Sequence, residues 1–167
     1  NVKDMYRMFR ECRALFNLDL SRWNTSAGIG DLFVNANSLK SIRMSNFELL
    51  HEGIFVWYSC DTLEYIDINK MNIERVFEGM FRSQSIKCIR CNVKTSIPFI
   101  AEMILDRTNL EQGKIITSVE VSSETIAILQ SKNWTVVSSD TLTKVAEYVY
   151  DSNTWNSMIP EFNSEFI

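Results

Sequence analysis

Met8-Phe9-Arg10-Glu11-Cys12-Arg13-Ala14-Leu15-Phe16-Asn17-Leu18-Asp19-Leu20 decides the fold, because its apolar positions return at a nearly fixed distance along the chain. The bulky pair Met8-Phe9 recurs every twenty-four residues as Leu32-Phe33, Val56-Trp57 and Met80-Phe81. Behind it, Leu15 recurs as Leu39, Leu63 and Ile86, Leu18 as Ile42, Ile66 and Ile89, and Leu20 as Met44, Ile68 and Cys91. The fourth copy is one residue short between Phe81 and Ile86. A period of this size means that each repeat is one supersecondary unit unable to bury its own apolar face, so neighbours must stack to make a core.

Within a repeat the pattern LxxLxL ends in alternation, the period of a short strand, whereas Met5, Met8 and Phe9 (likewise Ile29, Leu32 and Phe33, or Phe77, Met80 and Phe81) have the spacing of a helical turn. The expected architecture is an α/β solenoid of short helix plus short parallel strand, about 24 residues per repeat. Consecutive strands would lie about 4.8 Å apart with like columns stacked on like.

A fifth, irregular copy places Met103-Ile104 after Met80-Phe81 and reads its strand through Ile116, Val119 and Val121, with about six extra residues around Leu110 to Lys114. Ser123 to Lys132 then reads as a short amphipathic helix and Asn133 to Val137 as a final strand, a C-terminal cap. The expected organisation is a solenoid over 1–122, the cap over 123–137, and a linker or the start of a following module over 138–167. In that last stretch Lys144 to Tyr150 alternates like a strand, and Trp155, Met158, Ile159, Pro160, Phe162 and Phe166 follow without rhythm. An aromatic arm of this kind could pack on the solenoid or drive homo-oligomerisation.

In this register one outward-facing strand column reads Asp19, Arg43, Asp67, Arg90, Glu120, with signs alternating down the stack. Opposite charges on neighbouring strands stabilise by roughly 0.2–1 kcal/mol per pair, so the order suits parallel stacking. The next outward column is Ser21, Ser45, Asn69, Asn92, Ser122, suited to bonding nearby backbone where the chain turns. The column before the ladder is Asn17, Ser41, Tyr65, Cys88, Ser118. On a strand face used for recognition, Tyr65 flanked by Arg43, Asp67 and Arg90 would form the binding patch, with Asp19 and Glu120 extending it. A binding face should expose Tyr65 and leave the ladder free of intramolecular cover, and a spacer should bury them against a neighbouring chain or module.

The opening segment carries N-V-x-D-M-x-x-M-F from Asn1 to Phe9, Cys12 three residues before Leu15, L-D-L-S from Leu18 to Ser21, and W-N-T-S from Trp23 to Ser26. In these motifs it resembles the BspA-like leucine-rich repeat. The likeness is specific in the first repeat and thins to core positions in the next three. The resemblance implies a right-handed leucine-rich-repeat coil over about residues 1 to 122, and an extracellular, cell-surface or virion location, since such repeats occur in bacterial surface proteins, lipoproteins and phage tail or fibre proteins. It implies a non-enzymatic recognition or adhesion module binding protein or glycan on a host or neighbouring cell. The alternative is a structural spacer or assembly module contacting other virion proteins in a tail fibre or baseplate. It transfers no functional residue.

Composition narrows the field further. At 167 residues, 46% hydrophobic and 23% charged, the chain can hold a continuous core. Its formal charge of -4 and its singly scattered Lys and Arg argue against a nucleic-acid partner. Apolar runs such as Gly53 to Tyr58 and Ile97 to Ile104 fall far short of the roughly 20 residues of a membrane span. The chain opens at Asn1 inside a repeat, the expectation for a piece of a longer protein.

Catalytic and cofactor chemistry is not expected. Cys12 and Cys60 share a column with Ala36 and Ser83, two rungs and so roughly 10 Å apart, too far for a disulfide. Cys88 and Cys91 form a lone CxxC whose members would point to opposite faces of a strand, unsuited to a metal or a redox pair. All four are expected to be reduced. His51, beside Glu52, reads as a surface turn residue, and Asn24-Thr25-Ser26 and Asn133-Trp134-Thr135 as sequons without consequence in bacteria or phage.

Overall fold

The strands form where the LxxLxL pattern puts them, and they are short. The computed structural model describes residues 4–21, 23, 30–44, 57, 59–75, 80–81 and 83–138. Its elements are β1 (Asn17–Asp19), β2 (Ser41–Arg43), β3 (Tyr65–Asp67), β4 (Cys88–Arg90), α1 (Ile97–Met103), β5 (Gly113–Thr117), α2 (Ser123–Ser131) and β6 (Trp134–Ser138). They make an open, six-stranded parallel sheet in chain order, an α/β arrangement. The chain divides into Asn1–Val137 and Ser138–Ile167, and only Ser138 of the second part is described. Val56, Ile29, Phe77, Ser45, His51, Glu52, the sequon at Asn24 and the expected strand and aromatics of 139–167 lie outside the described residues.

Register follows the columns through four rungs. Leu18 pairs with Ile42, Ile42 with Ile66 and Ile66 with Ile89, in steps of twenty-four, twenty-four and twenty-three that carry the one-residue deletion. The core lies behind these strands, with Leu39, Leu63 and Ile86, and Met44, Ile68 and Cys91, all buried. The second member of each bulky pair forms an aromatic column. Phe9 stacks on Phe33 at 5.3 Å with 5° between planes, and Trp57 meets Phe81 tilted at 5.7 Å. Each such ring, once buried, contributes about 1.5–3 kcal/mol.

The helical turn expected ahead of β1 and of β2 is not a helix. Met5 to Glu11 and Gly30 to Asn35 are chains of turns. Arg7 and Asp31 (φ 60° and 52°) and Glu11, Asn35 and Ser59 (58°, 62° and 56°) are left-handed at matching places in successive repeats. A left-handed residue interrupts the i→i−4 ladder. The backbone instead alternates its donors. The N–H groups of Met8, Arg10 and Cys12 bond three residues back, to Met5, Arg7 and Phe9, while those of Arg7, Phe9 and Glu11 cross to the carbonyls of Gly30, Leu32 and Val34 in the next repeat. Apolar side chains at three-and-four spacing are compatible with either backbone, so the pattern alone could not separate them. The α-helices among the described residues are α1 and α2, both beyond the regular repeats.

The fifth rung also departs from expectation. Arg90 pairs with Ile116 and Ile89 with Ile115, a step of twenty-six, so the surplus is two or three residues. Ile116 therefore sits in the ladder column, Val119 and Val121 lie past β5, and Glu120 is outside the sheet. Gly113, the first residue of β5, lies against Trp134. A Cβ there would stand 2.4–2.7 Å from ring atoms of Trp134, whose indole N–H donates to the Leu105 carbonyl at 2.9 Å. α2 and β6 occupy the segments expected of the cap, and the Ser122 hydroxyl closes the start of α2 by accepting from the Thr125 N–H.

Candidate functional site

The parallel register brings Asp19, Arg43, Asp67 and Arg90 side by side at the ends of β1 to β4. Arg43 reaches Asp19 at 3.5 Å and Asp67 at 3.4 Å, and Arg90 reaches Asp67 at 3.8 Å, so one chain of ion pairs runs across four rungs. The two aspartates do a second job. Asp19 accepts from the Ser21 N–H at 2.7 Å and Asp67 from the Asn69 N–H at 3.0 Å, which closes the turn after each strand. Asp67 is only 7% exposed. At that depth its two guanidinium neighbours and its backbone donor offset the cost of burying a charge.

Glu120, expected as the fifth member, is not part of this ladder. It forms an exposed pair with Lys94 at 3.6 Å, the consequence of the shifted β5 register. Tyr65, expected to stand out from the face, is 5% exposed. Burial and then the adjoining Glu64 carboxylate push its phenol above the ordinary range. Its column is tied across rungs as well, since the Ser41 hydroxyl donates to Asn17 Oδ1 at 2.8 Å. Arg43, Tyr65, Asp67 and Arg90 each hold a further interaction besides those named.

A second ladder, not read from the sequence, runs at the turn before the strands. The Thr62 hydroxyl donates to the carbonyls of Asn37 and Leu39 at 2.8 and 3.0 Å, and the Ser85 hydroxyl to that of Asp61. One rung later no hydroxyl is available, and the buried Arg107 replaces it. Its Nη1 donates to the carbonyls of Gln84 and Ile86 at 2.8 and 2.7 Å, and its Nε to that of Glu111 at 2.8 Å. The Asn133 amide continues the series to Arg107 and Leu110. Desolvation lowers the Arg107 guanidinium from its ordinary value, with Glu111 opposing. The legible signal was the hydroxyl directly before Leu63 and Ile86. Nothing in the repeat pattern marks Arg107.

Searches against protein-family models, curated proteins and solved structures return no match.

Among the described residues no three His, Cys, Asp or Glu side chains converge as metal ligands, and no helix is long and apolar enough to cross a membrane. Cys60, Cys88 and Cys91 are buried free thiols. Desolvation pushes them up to about 12, about 12 and about 11, away from the thiolate form that nucleophilic chemistry uses. Cys60 spends its S–H on the Phe33 carbonyl at 3.0 Å. The strand face thus offers polar groups that are already committed to one another.

Proposed function

We propose that this chain is a non-enzymatic structural module: a stretch of leucine-rich-repeat-type solenoid that spaces or joins neighbouring modules of a surface or virion protein. The observation that carries the reading is the ladder from Asp19 to Arg90, whose charges are matched inside the chain while Tyr65 is buried beside them. Recognition of protein or glycan through the strand face, the other role the resemblance implies, would have to release these side chains from their partners before they could meet a ligand. The twenty-four-residue register and the likeness of the first repeat to BspA-like repeats support the stacked architecture and the surface or virion setting.

The test compares Arg43→Ala and Tyr65→Ala with the parent chain in thermal unfolding and in binding to host cells and a glycan array. The structural role expects both variants to unfold at lower temperature with unchanged binding. Loss of a measured binding signal at unchanged Tm would place recognition on the strand face and overturn the reading.

A further inference from the structure

Arg107 stands where the repeating rungs meet the β5–β6 end, and it is only 3% exposed. Its Nη1 donates to the carbonyls of Gln84 and Ile86, in the turn before β4, and its Nε to the carbonyl of Glu111, in the loop before β5. The Arg107 backbone N–H donates to the Lys132 carbonyl at 2.8 Å, and its carbonyl accepts from the Asn133 side-chain amide at 2.9 Å, both between α2 and β6. Its guanidinium carbon lies 5.7 Å from the ring centre of Trp134, the first residue of β6. One residue therefore meets the turn of rung four, the loop before β5 and the start of β6. In the earlier rungs the same joint is a single neutral hydroxyl, from Thr62 or Ser85, on the preceding turn. The guanidinium makes charge-assisted bonds to three carbonyls, each roughly twice as strong as a neutral one.

We infer that Arg107 couples the β5–β6 end to rung four, so that the two open as one cooperative unit, and that without its guanidinium the end opens alone. Proteins open locally in contiguous units, and a boundary between units falls where few strong contacts cross. At this joint the β4–β5 ladder pairs the strands, and the Arg107 side chain ties the turn before β4 to the loop before β5 and to β6. Removing the guanidinium takes the donor from the Gln84, Ile86 and Glu111 carbonyls in a site that solvent reaches poorly, and the cation from the Trp134 ring. The strands then remain paired by their ladder alone. The inference concerns this joint and does not depend on what the module spaces or joins.

Hydrogen exchange of the full chain, read on both sides of the joint, is the experiment. The Lys87 and Cys88 amides, both bonded to the Glu64 carbonyl, report whether rung four stays on the stack. The amides of residue 113, bonded to the Asn133 carbonyl, and of Lys114, bonded to the Lys87 carbonyl, report the end. Arg107→Met keeps an unbranched apolar stem and removes the donors. It should speed exchange at 113 and 114 more than at 87 and 88, by a factor of about five or larger. Gly113→Ala weakens the same end with Arg107 in place, and there the two pairs of amides should speed together, within a factor of about five. Where Arg107→Met does not fold, Arg107→Lys, whose single ammonium lacks the fork that spans both sides, carries the same comparison and the same threshold. A smaller separation in the Arg107 variant, or a larger one in Gly113→Ala, would overturn the inference.

Discussion

Rungs two to four and the β5–β6 end are parts of one sheet held by different means. In the inner rungs several columns repeat: aromatic on aromatic, Leu39 over Leu63 over Ile86, Arg43 between Asp19 and Asp67, Thr62 and then Ser85 on the preceding carbonyls. At the β5–β6 end the columns lapse and single residues substitute for them. Arg107 does the work of a hydroxyl with a guanidinium, Gly113 makes room for Trp134, and Lys132 donates to the carbonyls of Ala101 and Glu102 at the end of α1, both at 2.8 Å. A repeat distributes its stability over many small equivalent contacts, whereas the end of the sheet concentrates it in a few large unique ones.

The inner rungs are the more vulnerable to alkali, because Cys60, Cys88 and Cys91 all lie there. The sign follows from the thiols' elevated values, about 12, about 12 and about 11 against an ordinary 9.0. The unfolded chain releases these protons above pH 9 while the folded chain keeps them. The stabilisation is therefore complete below pH 9 and is lost as pH rises toward 11 to 12. Each unit of pH in that window removes about 1.4 kcal/mol per thiol, about 4 kcal/mol for the three. Urea unfolding between pH 8 and 10.5 measures the slope, and replacing all three by Ala should flatten it markedly. An unchanged slope in that variant would locate the alkaline loss elsewhere.

The β5–β6 end breaks at one atom. Gly113→Ala drives a methyl into the Trp134 ring, and the expected cost is about 3 kcal/mol, read as a shift in the urea midpoint. Hydrogen exchange should then show the largest loss of protection at β5 and β6, with the Met44 and Ile68 amides changing less. A uniform loss across the sheet would mean that the two regions unfold as one unit and would erase the distinction drawn here.

The same contrast explains what could be read in advance. Columns of apolar and charged residues at a fixed period dictated β1 to β4, their register and their ion pairs, because each position is constrained by its copies. The turn backbone escaped because apolar side chains at three-and-four spacing fit a helix or a left-handed double turn, and only cross-repeat hydrogen bonds choose between them. β5 escaped because Ile116, Val119 and Val121 imitate the strand pattern, while the strand that forms starts earlier, at Gly113, and pairs through Lys114 to Ile116. Tyr65 was read as exposed from a column that is polar in Asn17 and Ser41, and alternation does not report what covers a face. Arg107, singular in the sequence, left no trace in a reading based on repetition.

The central claim is that Arg43 and Asp67 hold the stack together and are not held in reserve for a ligand. A double-mutant cycle on Arg43→Ala and Asp67→Ala, measured by urea unfolding at low and high salt, tests it most directly. The account predicts a favourable coupling of about 1 kcal/mol that shrinks as salt rises. A coupling indistinguishable from zero at both salt concentrations would contradict it.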